Sequence, residues 1–234
     1  MSIYTILKLV AFVSMFIDHY GLVAGISWMR VIGRLAMPIF AYFMGYGTRV
    51  SKHDGKRVIK LGITALISLP LTMITFNETK MNIMVTFFLF AFAMYFLKRI
   101  NLEDKMWKHY LELLVILSLS AICGVFEFDY GWMLPILCYI SYKSDSLEVV
   151  LFSYAALIFA YPYTTFGLKA KIYVNSFGVA ALPLILWFME KKNTVKQRKI
   201  YRSKLVTWLN RNIFYILYPL HVAVLLLIKT YFLG

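Results

Sequence analysis

The sequence predicts an all-α fold, a polytopic bundle of about nine transmembrane helices forming one domain over residues 1–234. Three observations carry this. Charged residues make up 15% of the chain and hydrophobic residues 61%, against roughly a quarter charged in an ordinary soluble domain. The mean hydropathy is +0.71. The apolar residues also fall in long runs, and a helix crossing a bilayer needs about 20 of them. So much apolar side chain exceeds what one water-soluble core of this size hides, so the bilayer takes the role of solvent.

The candidate spans are 6–27, 31–48, 58–76, 81–97, 110–126, 130–142, 147–163, 172–189 and 212–231. The first run has no basic leader and no small-residue cleavage site, and it holds Asp18 and His19. It is expected to be a retained span rather than a removable signal. The sixth is short, and is extended by its flanks, tilted or re-entrant. No internal repeat, low-complexity tract or long linker divides the chain. Cys123 and Cys138 fall inside apolar runs and read as buried thiols; a disulfide framework or metal site needs more ligands than these.

The formal net charge is +14. In a soluble protein this suggests nucleic acid, but its distribution argues against that partner. With nine spans the loops alternate between two sides. One side takes all but six of the 25 Lys and Arg; the six are Arg30, Arg34, Lys80, Lys169, Lys171 and Lys229. The positive-inside rule then sets the N-terminus in the cytoplasm and the C-terminus outside, in a multi-pass protein of the cell membrane. The longest basic stretch, 190–211, reads either as an anchor for anionic lipid headgroups or as a docking surface for a polyanionic cytosolic cofactor.

Ionisable groups within spans are costly and tend to be functional. Lys8 and His19 are eleven residues apart, about three helical turns, so they share a face and differ in depth by about 16 Å. Lys8 is expected at the cytoplasmic mouth and His19 near the bilayer centre. One reading is a path for an anionic cofactor leading to a general base. The other is a snorkelling lysine and a structural histidine. Asp18 lies about 100° around the helix from His19 and so faces a different neighbour. A carboxylate at this depth needs a cationic partner, and Arg34, on one face with Arg30, is the best candidate. Arg34 suits either that pairing or stabilisation of an oxyanion. Gly33, Pro38, Gly45 and Gly47 permit close helix approach and kinks. His221 follows Pro219 in the last span, where the proline removes one helical donor.

Weaker signals are Asn82 with Thr86, and Glu127 with Asp129 before Tyr130-Gly131. The second pair reads as plain loop or as part of an acceptor pocket. His53 and His109 lie in or beside basic loops and read as solvated. The four histidines show no metal-binding spacing.

The segments LKLVAFVSMFIDHYGLV and MRVIGRLAMPIFAYFMGYG resemble the N-terminal signature of the TraX family, the F-pilin acetylase type of conjugal-transfer protein. Its pattern of Lys, Asp-His, Gly-Arg and Pro-x-Phe-Ala falls on Lys8, Asp18-His19, Gly33-Arg34 and 38–41. The stretches around Asn82, Asp129–Gly131 and YPLHVAVLLLI with His221 are also similar. The resemblance implies a membrane-embedded acetyltransferase using acetyl-CoA as acyl donor. Its acceptor would be a peptide N-terminus such as pilin, or a glycan or small-molecule amine or hydroxyl.

The resemblance extends to the wider group of membrane acyltransferases, whose first span carries a basic residue and a histidine at the Lys8-x10-His19 spacing. On this reading Lys8, Arg49, Lys52 and Arg57 meet the donor's phosphates. His19 acts as general base or carries the acetyl group itself. Arg34 stabilises the oxyanion or orients Asp18, and His221 supports His19 or replaces it as base. A small-molecule or proton-coupled transporter is the alternative, since Asp18-His19 also suits a proton relay. A structural envelope subunit would need no such charges.

Overall fold

In the computed structural model the described residues are 3–164, 177–194 and 204–233. They form ten α-helices and two short irregular helical turns, with no strand among them. The start of the 172–189 run, the cations Lys169 and Lys171 and the basic stretch 195–203 lie outside the described residues.

The helices are α1 (Ile3–Val23), α2 (Ser27–Gly33), α3 (Ala36–Val50), α4 (Asp54–Phe76), α5 (Ile83–Leu97), α6 (Lys105–Val125), α7 (Met133–Lys143), α8 (Leu147–Thr164), α9 (Leu182–Thr194) and α10 (Lys204–Ile228). A 3-10 turn, Phe177–Ala181, leads into α9, and a π turn, Lys229–Leu233, ends α10. The chain is a helical membrane protein. Among the described residues four helices are long and apolar enough to cross a bilayer: Thr5–Val23, Asp54–Phe76, Lys105–Val125 and Asn212–Phe232. Ile83–Leu97, Leu147–Ala160 and Phe177–Glu190 are apolar but shorter. At 1.5 Å per residue the 15 residues of α3 extend only about 22 Å and the 11 of α7 about 16 Å, against a hydrocarbon core of about 30 Å.

The expected span 31–48 is divided. α2 stops at Gly33 and α3 begins at Ala36. Pro38 is the cause: its ring excludes the carbonyl four residues earlier, that of Arg34, from a continuing helix. The last turn of α2 tightens instead, with Arg34 N–H donating to Val31 O and Leu35 N–H to Ile32 O, each at 3.3 Å.

The chain forms two compact units, residues 1–40 with 146–234, and residues 41–145. In the first, α9 packs on α1 and α8, and Ile185, Phe188, Val222 and Leu225 belong to its core. In the second, α4 is patterned inversely to a helix of a soluble protein. Its buried stripe holds Leu61, Ala65, Ser68, Thr72 and Thr75, whereas Ile59, Ile63, Leu66, Ile67 and Ile74 are exposed. Small and hydroxylated residues inside with branched aliphatics outside is how helices pack when lipid is the solvent.

Asn82 joins α4 to α5. Its Oδ1 accepts from the Met84 and Val85 N–H groups and caps α5, while its Nδ2 donates to Ser68 Oγ at 3.0 Å and Thr72 Oγ1 at 3.2 Å. Asn82→Ala removes both functions and is expected to destabilise the protein by about 1–2 kcal/mol, read as a lowered midpoint of thermal unfolding in detergent.

Candidate functional site

The first unit builds a polar centre on α1. Gly25, at φ +71°, ends that helix in a left-handed turn, and Ile26 N–H returns to Gly21 O at 2.8 Å. The chain reverses, and α2 lies antiparallel along α1. Two glycines permit the approach. A Cβ on Gly21 would stand 2.6 Å from Met29 Cβ, and one on Gly33 would collide with the Asp18 side chain and backbone. Ser14 Oγ donates to Ile32 O at 2.7 Å and fixes the register.

This packing brings two arginines to one carboxylate. Arg34 Nη2 is 3.5 Å and Arg30 Nε 3.6 Å from Asp18 Oδ1. Asp18 and Arg34 are largely buried and Arg30 is partly exposed. Two guanidinium groups on one carboxylate leave an excess of one positive charge. Arg34 sits at the α2–α3 break, where a Cβ added at Gly178 would stand 3.4 Å from its carbonyl oxygen. Asp18→Ala would leave both cations without their carboxylate. The expected loss is about 3 kcal/mol, the low end for breaking a buried pair because Arg30 reaches solvent. Adding Arg34→Met should recover part of it in thermal unfolding.

On the adjacent stripe of α1, His19 Nδ1 lies 2.8 Å from His221 Nε2 of α10. The rings are within 15° of coplanar and their centroids are 5.1 Å apart, so the bond runs nearly in both ring planes. His221 is buried and His19 half-buried. His221 Nδ1 lies 3.3 Å from Leu217 O, one turn back on α10. Phe12, Phe16 and Tyr218 surround the His221 ring with centroids 5.1–6.5 Å away.

The same seam continues to Lys8, whose Nζ lies 5.4 Å from the centroid of Phe214, with Phe12 against that ring at 6.5 Å. Lys8 faces Phe214 and His19 faces His221, so α1 and α10 run parallel. Their shared seam presents a cation at one end, aromatic rings between, and the imidazole pair at the other.

Of the sequence candidates, Lys8, Asp18, His19, Arg34 and His221 therefore belong to the first unit. Arg49, Lys52 and Arg57 belong to the second. There Arg49 pairs with Asp145 and lies 5.4 Å from the Tyr46 ring centre. Arg57 donates to Met44 O at 3.1 Å, across the space a side chain at Gly47 would fill. Lys52 is exposed. The second unit also holds a cluster that sequence reasoning passed over. Buried Glu112 of α6 pairs with Lys143 and accepts from Tyr139 Oη at 3.2 Å. The available signal was a lone carboxylate within the apolar run 110–126. Asp129 N–H bonds to Met81 O at 2.9 Å, between the two loops that hold Asn77, Glu127 and Tyr130 at positive φ.

A family model described as TraX protein matches residues 4–229. The chain is 25% identical over 234 residues to the protein named "Uncharacterized protein RP591" of Rickettsia prowazekii (strain Madrid E), covering 97% of this chain and 92% of that one. No solved structure matches.

Proposed function

Because the chain belongs to the TraX family, we propose that it is a membrane-embedded acetyltransferase, moving an acetyl group from acetyl-CoA to an amine or hydroxyl of a peptide, glycan or small molecule. The observation that carries this reading is the His19–His221 pair on the α1–α10 seam, one residue along α1 from the Asp18–Arg34–Arg30 cluster. It sets a base beside an excess positive charge, which is what acyl transfer asks of a site.

The residues fit an anionic thioester donor in two respects. Lys8 supplies a cation on the same stripe, and the aromatic side chains between it and His19 suit an uncharged arm. When bound, acetyl-CoA supplies the acetyl thioester and departs as the thiol. His19 takes the proton of the acceptor N–H or O–H as that atom attacks the thioester carbonyl. Arg34 faces the negative charge that develops on the carbonyl oxygen, and Asp18 orients Arg34. The proton held on His19 passes to the departing sulfur.

We further propose that the chain crosses the membrane nine times, with the N-terminus cytoplasmic and the C-terminus outside. The parallel run of α1 and α10 supports an odd number of crossings, and the distribution of Lys and Arg supports the direction.

The test is thermal unfolding of the purified protein in detergent with acetyl-CoA, with free CoA and with no ligand. A ligand at 100 times its Kd should stabilise by about 2.7 kcal/mol. Lys8→Ala should weaken that shift. No shift at millimolar acetyl-CoA, in a protein shown to be folded, would overturn the reading. It would favour the transporter class, for which the same polar centre would act as a proton relay.

A further inference from the structure

The two histidines can be assigned separate roles from their hydrogen bonds. Leu217 O is a carbonyl and can only accept, so the His221 Nδ1 that faces it at 3.3 Å is the nitrogen carrying the proton. In a neutral imidazole the other nitrogen then holds the lone pair. That nitrogen, His221 Nε2, faces His19 Nδ1 at 2.8 Å. His19 Nδ1 must therefore be the donor, and His19 Nε2 carries the lone pair. A backbone carbonyl on α10 thus sets the tautomer of a ring on α1 through two directed bonds.

We infer that His221 is a positioning residue: it holds His19 in the Nδ1–H tautomer with Nε2 as the basic atom, and accepts the surplus proton during acetyl transfer. The catalytic part of this rests on the acetyltransferase reading; the tautomer assignment does not. Burial agrees with the order. His221 is buried and His19 intermediate in exposure, and on this reading His19 meets the reactants with His221 behind it.

The proton count closes. His19 Nε2 takes the acceptor's proton while the acceptor atom bonds to the acetyl carbon. His19 Nδ1–H then shares or passes its proton to His221 Nε2, whose Nδ1–H stays bonded to Leu217 O. As the carbon–sulfur bond breaks, the proton returns along the same bond and leaves from His19 Nε2 to the thiolate. No oxidant or further reactant is needed.

A histidine pair that only fastens α1 to α10 makes different predictions. The first measurement is 15N NMR of the full-length protein in detergent, labelled at histidine and assigned by His19→Gln and His221→Gln. The expected spectrum has Nδ1 protonated and Nε2 unprotonated in both rings. A protonated Nε2 with an unprotonated Nδ1 on His19 would overturn the inference. In His221→Phe, which keeps an aromatic ring among Phe12, Phe16 and Tyr218, His19 should lose its single tautomer and show both.

The second measurement is release of CoA thiol from acetyl-CoA with glycinamide as acceptor. His221→Phe should lower kcat by about 10²-fold with KM nearly unchanged. His221→Gln, whose amide oxygen can accept from His19 Nδ1–H, should recover part of the loss. An unchanged kcat in His221→Phe would overturn the role. Absence of turnover in the unmodified protein would count against the acetyltransferase reading instead, leaving the NMR result to decide the tautomers.

Discussion

His19→Ala is expected to lower acetyl transfer by about 10²- to 10⁴-fold, the range for losing a positioned general base, while the stabilisation by acetyl-CoA persists. The two effects separate because Lys8 lies eleven residues away on α1 and keeps its place over Phe214. A permease would respond differently, losing uptake with no dependence on CoA. A structural subunit would tolerate the change. Single-turnover transfer and thermal shift on the same preparation separate the three. Full transfer by folded His19→Ala protein would remove His19 from the mechanism.

A large structural effect is expected at Gly33. Its missing side chain is what lets α2 lie on α1, because an added Cβ would overlap Asp18, including its backbone. Backbone cannot rotate aside as the end of a long side chain can. Gly33→Ala is therefore expected to cost at least the upper part of the 1–3 kcal/mol, approximately, that overpacking incurs, and Gly33→Leu to prevent recovery of folded protein. Gly124 on α6 is the control, since an added Cβ there meets nothing closer than 3.5 Å. Gly124→Ala should melt at or slightly above the parent temperature, because alanine favours the helix by about 0.5–1 kcal/mol. Equal melting of Gly33→Ala and the parent would mean that the two helices do not approach so closely.

The helical architecture was legible because apolar runs declare themselves without tertiary information. The Asp18–Arg34 contact was legible from chemistry, since a buried carboxylate requires a cation and Arg34 lies inside the next apolar run. Lys8 and His19 fall on one stripe by helical arithmetic alone. The break at Arg34 was also written in the sequence, as a proline four residues on, but the apolar run conceals it from any window average. The His19–His221 bond was not readable. The two residues are 202 positions apart, and no periodicity relates α1 to α10. Glu112 was missed for the opposite reason. It lies near the start of the expected span 110–126, where a carboxylate passes for a loop residue until Lys143 and Tyr139 are seen around it.

The seam on α1 also has metric content. Lys8 and His19 are separated by three turns of a rigid rod, about 16 Å, so a molecule seated at both points must have its anionic end and its reactive carbonyl that far apart. On the proposed acetyltransferase reading the helix would serve as a ruler for donors. A thioester cut off from its phosphates reaches the imidazole only by giving up Lys8, and one with a shorter tether reaches neither point at once. Acetyl thioesters of graded length should accordingly lose turnover in a step rather than a slope, at the tether that no longer spans the two marks.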